Sequence, residues 1–368
     1  MMTIHRTAEG ERLCDIARLY GTSEEIIRMN NGFEISEEPA PGEEILIILP
    51  TRTYTVKRGD SLERLALRFG VLRRELLANN PIIEKEGLLP GRTLALKYGE
   101  RKFGQAAANG YFFGGDTSSL RERLPYFTYV TVGAASLNGT EIKKLFEGRE
   151  ACGLVRMADK IPLLRIFGRG YSELSEKEGE ELASELLRAA ANGGYKGLVL
   201  GGEPVPSELL LKLRRLSLGC DLILLCEVEP SSPEHLCDGA DGTIFSGNSP
   251  ISCAQNYVSE LLNFAAERES NRCMPEICAF AENDGKYLPI CDALRVARRG
   301  SCKIEFDEMA GVCKFTHKRS GNYVFPSLEN VKAILEAIHE YGYMGASFDV
   351  ARTPRAHLMM YGALFGKR

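Results

Sequence analysis

The stretch GGYKGLVLGGE, Gly193 to Glu203, decides how the rest of the chain is read. Its apolar centre, Gly197–Leu200, is too short for a helix and is bounded by glycines, as a buried strand would be. On either side, Glu178–Ala191 and Ser207–Leu218 repeat apolar residues every three or four positions, the pattern of amphipathic helices. The local unit is helix, strand, helix, which is the building block of a parallel sheet.

Working outward from that unit, seven more short apolar runs read as strands: Gly110–Phe113, Phe127–Ala134, Ile161–Phe167, Leu222–Glu227, Gly242–Phe245, Glu276–Phe280 and Gly345–Phe348. Further helical patterns lie at Ala254–Glu267 and Ser327–Tyr341. Eight strand-helix units in residues 101–368 predict an α/β chain folded as a (β/α)8 TIM barrel, whose chemistry sits at the carboxyl ends of its strands. Between the last two strands the rhythm breaks. Cys302–Phe325 alternates around a Ser320-Gly321 turn, which predicts an α+β insertion over about 301–326 that can wall one side of a cleft.

Before the barrel the chain repeats itself. A shift of 49 residues lays Gly10 on Gly59, Leu13 on Leu62, Ala17 on Ala66, Gly21 on Gly70, Asn30-Asn31 on Asn79-Asn80 and Pro41-Gly42 on Pro90-Gly91. In the second copy Tyr54–Val56 alternates as a strand, Ser61 caps a helix carrying Leu62, Leu65, Ala66 and Phe69, and Gly70 ends it. A second helix with Leu76 and Leu77 leads to a turn and a return strand ending at Leu96. Residues 1–50 and 51–100 therefore read as two small βααβ domains.

Composition limits the partners. Forty-six basic against fifty acidic residues leave a net charge of −4, too balanced for the basic surface that duplex nucleic acid demands. No run approaches the ~20 apolar residues of a membrane span, and the opening MMTIHRTAEGERLCDIA lacks the order of a signal peptide, so no membrane association is expected and synthesis in the cytoplasm is. Eleven cysteines never form a C-x-x-C pair, which argues for reduced thiols and against a zinc knuckle. No metal or other cofactor is expected. The chain has no Trp, so any platform for stacking sugar rings must be Tyr or Phe.

The segments YTVKRGDSLERLALRFGV, LLANN and LLPGRTLAL resemble the LysM module, a small domain that binds N-acetylglucosamine-containing glycans. The resemblance implies a groove between the loop entering the first helix and the loop leaving the second. In copy two those loops carry Gly59, Asp60, Ser61 and Leu62 with Asn80, Pro81, Ile82 and Ile83; in copy one they carry Gly10, Glu11, Arg12 and Leu13 with Asn31, Gly32 and Phe33. Glu11-Arg12 departs from the usual Asp-Ser or Asp-Thr. Two such modules before a barrel with a late insertion resemble the LysM-containing branch of glycoside hydrolase family 18, whose members cut at N-acetylglucosamine in spore cortex peptidoglycan. LPYFTYVTVGAASLNGTEI, KIEFDEMAGVCKFTH and EYGYMGASFDVARTP also carry this resemblance.

Family 18 enzymes let the substrate's own acetamide attack while one Glu protonates the leaving oxygen, and a neighbouring Asp steadies the acetamide. The motif D-x-x-D-x-D-x-E places the two acids at i and i+2 of a strand, on one face. Here Glu203 takes the place of the acid, but Gly201 replaces the Asp and Val199 the position before it. The Tyr-Asp of the sixth strand falls on Gly247-Asn248, and the floor Trp of the eighth on Asp349. On this reading Glu203 stands alone. Glu227, Glu282 and Asp349 lie at or beyond predicted strand ends and are the acids available to replace the lost partner.

The sequence thus predicts a glycan-binding protein of the cell wall or spore envelope with an inactive family 18-like barrel, in effect a pseudoenzyme. Its partner would be peptidoglycan or another N-acetylglucosamine glycan, with spore-envelope proteins beside it. The alternative is an active N-acetylglucosaminidase using Glu203 as general acid with Glu227 or Asp349 as stabiliser. The missing export signal fits deposition in the spore coat or cortex from the surrounding cytoplasm.

Overall fold

A computed structural model of the chain describes residues 2–80, 83, 86–99, 103–171, 174–229, 239–246, 251 and 254–367. The first repeat pairs β1 (Met2–Arg6) antiparallel with β2 (Glu44–Ile48) around helices α1 (Leu13–Tyr20) and α2 (Glu24–Asn31). The second pairs β3 (Pro50–Thr55) with β4 (Thr93–Tyr98) around α3 (Leu62–Phe69) and α4 (Arg73–Asn79). Their cores obey the 49-residue shift: Ile16, Ile27, Ile45 and Ile47 in one are Leu65, Leu76, Leu94 and Leu96 in the other. So does their polar pin. The Asn31 amide donates to the carbonyls of Ile27 and Leu46 and accepts from Leu46 N–H, and Asn80 does the same with Leu76 and Ala95. These asparagines lock helix to strand.

The remaining chain builds one large sheet. Its strands are β5 (Gln105–Tyr111), β6 (Tyr129–Asn138) with the antiparallel appendage β7 (Glu141–Phe146), β8 (Ile161–Arg169), β9 (Gly197–Gly201), β10 (Ile223–Val228), β11 (Gly242–Phe245) and β12 (Cys273–Pro275). A late strand, Gly345–Asp349, pairs parallel with β5, and a bridge from Ser347 to Glu276 brings the ring to near closure. The eight parallel strands with their helices are the barrel that the alternation of apolar runs predicts.

Two strands differ from the sequence reading. The first lies at 105–111 instead of 110–113, because QAAANGY buries small residues and offers no β-branched signal. The seventh ends at Pro275, and the apolar run after it leaves the barrel. The excursion starts there, well before 301. A five-stranded antiparallel sheet forms from β13 (Phe280–Asn283), β14 (Lys286–Pro289), β15 (Glu305–Asp307), β16 (Val312–His317) and β17 (Gly321–Pro326), covered by the helix Ile290–Gly300. Its core of Ile290, Ala293, Ala297, Phe315, Tyr323 and Phe325 also takes in Ala40 of the first repeat. The chain then returns as β18 (Gly345–Asp349).

Inside the barrel, side chains stack in layers. Ala107, Leu163, Val199, Leu225, Ile244 and Met274 form an apolar floor. Above it Thr131 donates to Asn109 at 3.0 Å and Asn109 to Ser347 at 3.1 Å, a buried side-chain network. Two residues further along each strand lies the mouth.

Candidate active site at the barrel mouth

Strand alternation sends Tyr111, Arg165 and Glu227 into the mouth, one step beyond inward-facing Asn109, Leu163 and Leu225. Arg165 on β8 and Glu227 on β10 reach each other across β9. The guanidinium grips the carboxylate side-on, with Nε to Oε1 at 2.8 Å and Nη2 to Oε2 at 2.7 Å. The Tyr111 hydroxyl donates to the same Oε1 at 2.5 Å. Burial, and next the charge of Glu227, push the Tyr111 hydroxyl well above its ordinary pKa. Burial works against the charge on Arg165, but its bonds to Glu227 more than offset this and hold its pKa above the usual value. The three groups therefore carry one cation, one anion and one neutral donor.

What lets Arg165 cross β9 is the residue beneath it. Gly201 pairs in register with Phe167, and a Cβ added at Gly201 would lie 2.3 Å from Glu227 Oε2 and 3.0 Å from its Cβ. Glu227 thus fills the space that a side chain at 201 would enter. This corrects the expectation that no second acid stands near that position: one does, already held by four hydrogen bonds from Arg165 and Tyr111.

Glu203 is not simply the next inward residue of the strand. β9 ends at Gly201, and Gly202 has φ +105°, a backbone turn where a Cβ would lie 2.3 Å from the carbonyl of Gly168. Past this turn Glu203 Oε2 accepts from the backbone N–H of Gly170 at 2.7 Å, in the exit loop of β8. The loop Gly168-Arg169-Gly170 thus positions the acid. Tyr171 lies nearby, buried, its hydroxyl donating to the Gly201 carbonyl at 3.4 Å.

The other sequence candidates scatter. Asp349 accepts from Arg352 N–H and Nη1, both at 2.8 Å, so it braces the turn after β18. Glu282 pairs on β13 with Tyr287 and Val324, inside the insertion sheet. Gly247 and Asn248 lie outside the described residues, as do Pro81 and Ile82 of the second repeat. Sequence reasoning missed Arg165, Tyr111 and Glu276. Glu276 lines a cleft of about 540 Å³ between barrel and insertion, together with Tyr257, Phe280, Tyr287 and Asp349. Half-exposed Phe113 and Phe167 supply aromatic faces at the mouth, and the Arg165 guanidinium lies 5.1 Å from the Phe167 ring centre.

In the repeats, Asp60 accepts from Lys57 N–H at 2.7 Å and from the Tyr54 hydroxyl at 2.9 Å, and Ser61 Oγ caps α3 by accepting from Arg64 N–H. Gly59 turns the chain at φ +89°, Leu62 is half-buried and Ile83 is buried. In copy one Gly10 turns at φ +76°, Glu11 bonds His5 at 2.9 Å, Leu13 is fully buried and Phe33 nearly so. Among the described residues no group of three or more His, Cys, Asp or Glu is arranged to hold a metal ion, and no helix is long and apolar enough to cross a membrane.

Residues 54–97 match the LysM domain model. Among solved structures, the spore cortex-lytic enzyme SleL of Bacillus cereus aligns over 100% of this chain and 98% of its own, with TM-score 0.73 and 16% identity. SleL of Bacillus megaterium QM B1551 aligns over 100% and 99%, with TM-score 0.73 and 14% identity. A chitinase from Chromobacterium violaceum ATCC 12472 covers 72% of this chain and 100% of its own, with TM-score 0.59 and 14% identity. No curated protein sequence matches. The chain carries a LysM domain and has the fold of these enzymes, a family 18-type TIM barrel preceded by small N-terminal modules.

Proposed function

We propose that this protein binds N-acetylglucosamine-containing glycan, of the peptidoglycan or chitin type, and that its barrel does not hydrolyse it. The observation that carries the second half is the Arg165–Glu227–Tyr111 cluster over Gly201. A family-type reaction needs a carboxylate free to steady the acetamide as positive charge develops on it. Glu227 is the acid nearest that place, and its charge is already matched by Arg165 while Tyr111 takes a further lone pair. An anion so compensated has little left to give a transition state. Loss of one preorganised partner typically costs ~10²- to 10³-fold in rate.

The LysM domain supports glycan binding, and the likeness of the whole chain to spore cortex-lytic enzymes supports a place in the spore envelope, where envelope proteins would be its neighbours. A second reading keeps catalysis: Glu227 occupies the very space of the lost Asp and would stabilise the acetamide, with Glu203 as acid. Purified protein incubated with cortex fragments and with a chromogenic chitobioside separates the two. The proposal expects background turnover, equal in wild type and Glu203→Gln, together with measurable retention on peptidoglycan. Turnover by wild type that Glu203→Gln abolishes establishes the enzyme instead.

A further inference from the structure

We infer that the cavity walled by the first repeat, the barrel and the insertion is a binding site for a carboxylate, held by Arg355 with His357 as a second polar anchor. The inference stands apart from the glycan-binding reading above, because nothing in it depends on whether a repeat or the barrel mouth takes sugar.

The cavity measures about 850 Å³ and takes a wall from each of the three parts. The first repeat gives Phe33 and Ile35, the insertion Ile290 and Leu294, and the barrel Arg123 and Arg355. That volume suits a small organic molecule, and the wall mixes apolar surface with arginine. Arg355 and His357 stand in it at the first turn of the helix Arg355–Leu364, and they are only 9% and 2% exposed. Seven buried side-chain nitrogens and oxygens lack a hydrogen-bond partner among the described residues, and three of them are Arg355 Nε, Arg355 Nη2 and His357 Nδ1. Unfilled polar atoms gathered on one wall of one cavity point to a ligand.

The chemistry of the ligand follows from the edge that is empty. Nε and Nη2 form the side of a guanidinium that offers two parallel N–H bonds to a planar acceptor with two oxygens. Arg165 fills this edge with Glu227, and Arg298 fills it with Glu43, at 3.2 Å from Nε and 2.7 Å from Nη2. Arg355 spends only Nη1, on Glu122. Charge points the same way. The other arginines of the wall are matched: Arg298 by Glu43 and Glu37, Arg28 by Glu24, Arg295 by Asp292 and Arg352 by Asp349. Arg123 instead donates to the carbonyls of Val350 and Thr353, at 2.5 and 2.8 Å, and shares Glu122 with Arg355. Of the remaining acids Glu44 meets Arg6, Glu86 meets Arg92 and Glu34 is exposed. Two cations on one acid leave an excess positive charge that one carboxylate cancels and a phosphate, near two negative charges, overshoots. Ile35, Ile290 and Leu294 suit an apolar body behind the carboxylate. A free organic acid and the carboxylate end of a peptide share this chemistry.

The test is titration calorimetry on the full chain with benzoate, a free acid, and N-acetyl-dialanine, a peptide carboxylate. Benzamide, N-acetyl-dialaninamide and inorganic phosphate are the controls. At least one acid is expected to bind, with its amide and phosphate about tenfold weaker or more, and to protect amides in 353–358 from hydrogen–deuterium exchange. The tighter acid identifies the source of the carboxylate. Arg355→Lys keeps a cation for Glu122 but lacks the planar edge, and is expected to weaken the bound acid about tenfold or more. No binding by either acid, amides or phosphate as tight as the acids, protection that spares 353–358, or unchanged affinity in Arg355→Lys overturns the inference. The comparison of acid with amide uses the wild-type chain, so it decides the matter even if Arg355→Lys does not fold.

Discussion

Filling the gap at position 201 tests the central geometry. Gly201→Ala adds one carbon where Glu227 Oε2 would lie 2.3 Å away and Glu227 Cβ 3.0 Å away. The carboxylate oxygen can swing aside only by abandoning Arg165 and Tyr111; the Cβ, fixed to β10, cannot. Overpacking of this kind costs ~1–3 kcal/mol, and weakening a largely buried ion pair adds to it. We therefore expect Gly201→Ala to destabilise the fold by about 2–4 kcal/mol. In a Glu227→Ala background the carboxylate is gone and only the Cβ contact at 3.0 Å remains, so the same change should cost about 1 kcal/mol. Urea unfolding of the four proteins in a double-mutant cycle reads the coupling, which should reach about 2 kcal/mol. Additivity within ~0.5 kcal/mol would refute the view that Glu227 fills the place of a side chain at 201.

Two further outcomes follow from buried charge. Arg298 Nη2 meets buried Glu43 at 2.7 Å and its Nη1 meets largely buried Glu37 at 2.8 Å, so Arg298→Met leaves Glu43 buried without its cation and should lower stability by ~3–5 kcal/mol in denaturant titration; a loss under ~1 kcal/mol would mean that the contact between first repeat and insertion is not held by this residue. Burial keeps His357 neutral and lowers its pKa to about 3, below the ~6.5 of an unfolded chain. Between those values the unfolded chain binds more protons, so the contribution is whole above about pH 6.5 and is lost as pH falls toward 3, by ~1.4 kcal/mol per pH unit. The stability gap between wild type and His357→Phe should shift by about 3 kcal/mol from pH 7 to pH 4, and parallel pH profiles for the two proteins would contradict this.

The fold was legible because its signals are local. Glycine-bounded apolar runs and helical periodicity mark most barrel strands, and the shift that pairs Asn31 with Asn80 reports two residues making the same three bonds. The first strand escaped because Ala106, Ala107 and Ala108 are small enough to pack but carry no strand preference. The absence of an acid at Gly201 was equally plain. What filled its place was not. Arg165 and Glu227 are 62 residues apart on strands separated by β9, and their meeting depends on register and on the reach of two long side chains. The available signal was parity: each stands two positions beyond an apolar inward residue, flanking a strand whose corresponding residue is glycine. Glu203 misled for the opposite reason. Its i+2 spacing from Gly201 predicts a shared face, but a strand alternates only while it continues, and Gly202 ends it.

Removing an acid from a crowded mouth leaves unpaired partners and empty volume, both of which cost stability. Here Glu227, Arg165 and Tyr111 fill that volume and satisfy one another, above the closed network of Thr131, Asn109 and Ser347. A sugar acetamide entering this mouth must displace bonds that the protein already makes to itself, whereas at Phe113 and Phe167 it meets exposed rings that ask for nothing but contact. In the first repeat Glu38 ties the chain after α2 to the first N–H of α1, and Arg298 packs on the Phe33 ring. At the mouth, the space beside Gly201 is taken by a side chain that the protein has already bonded to itself.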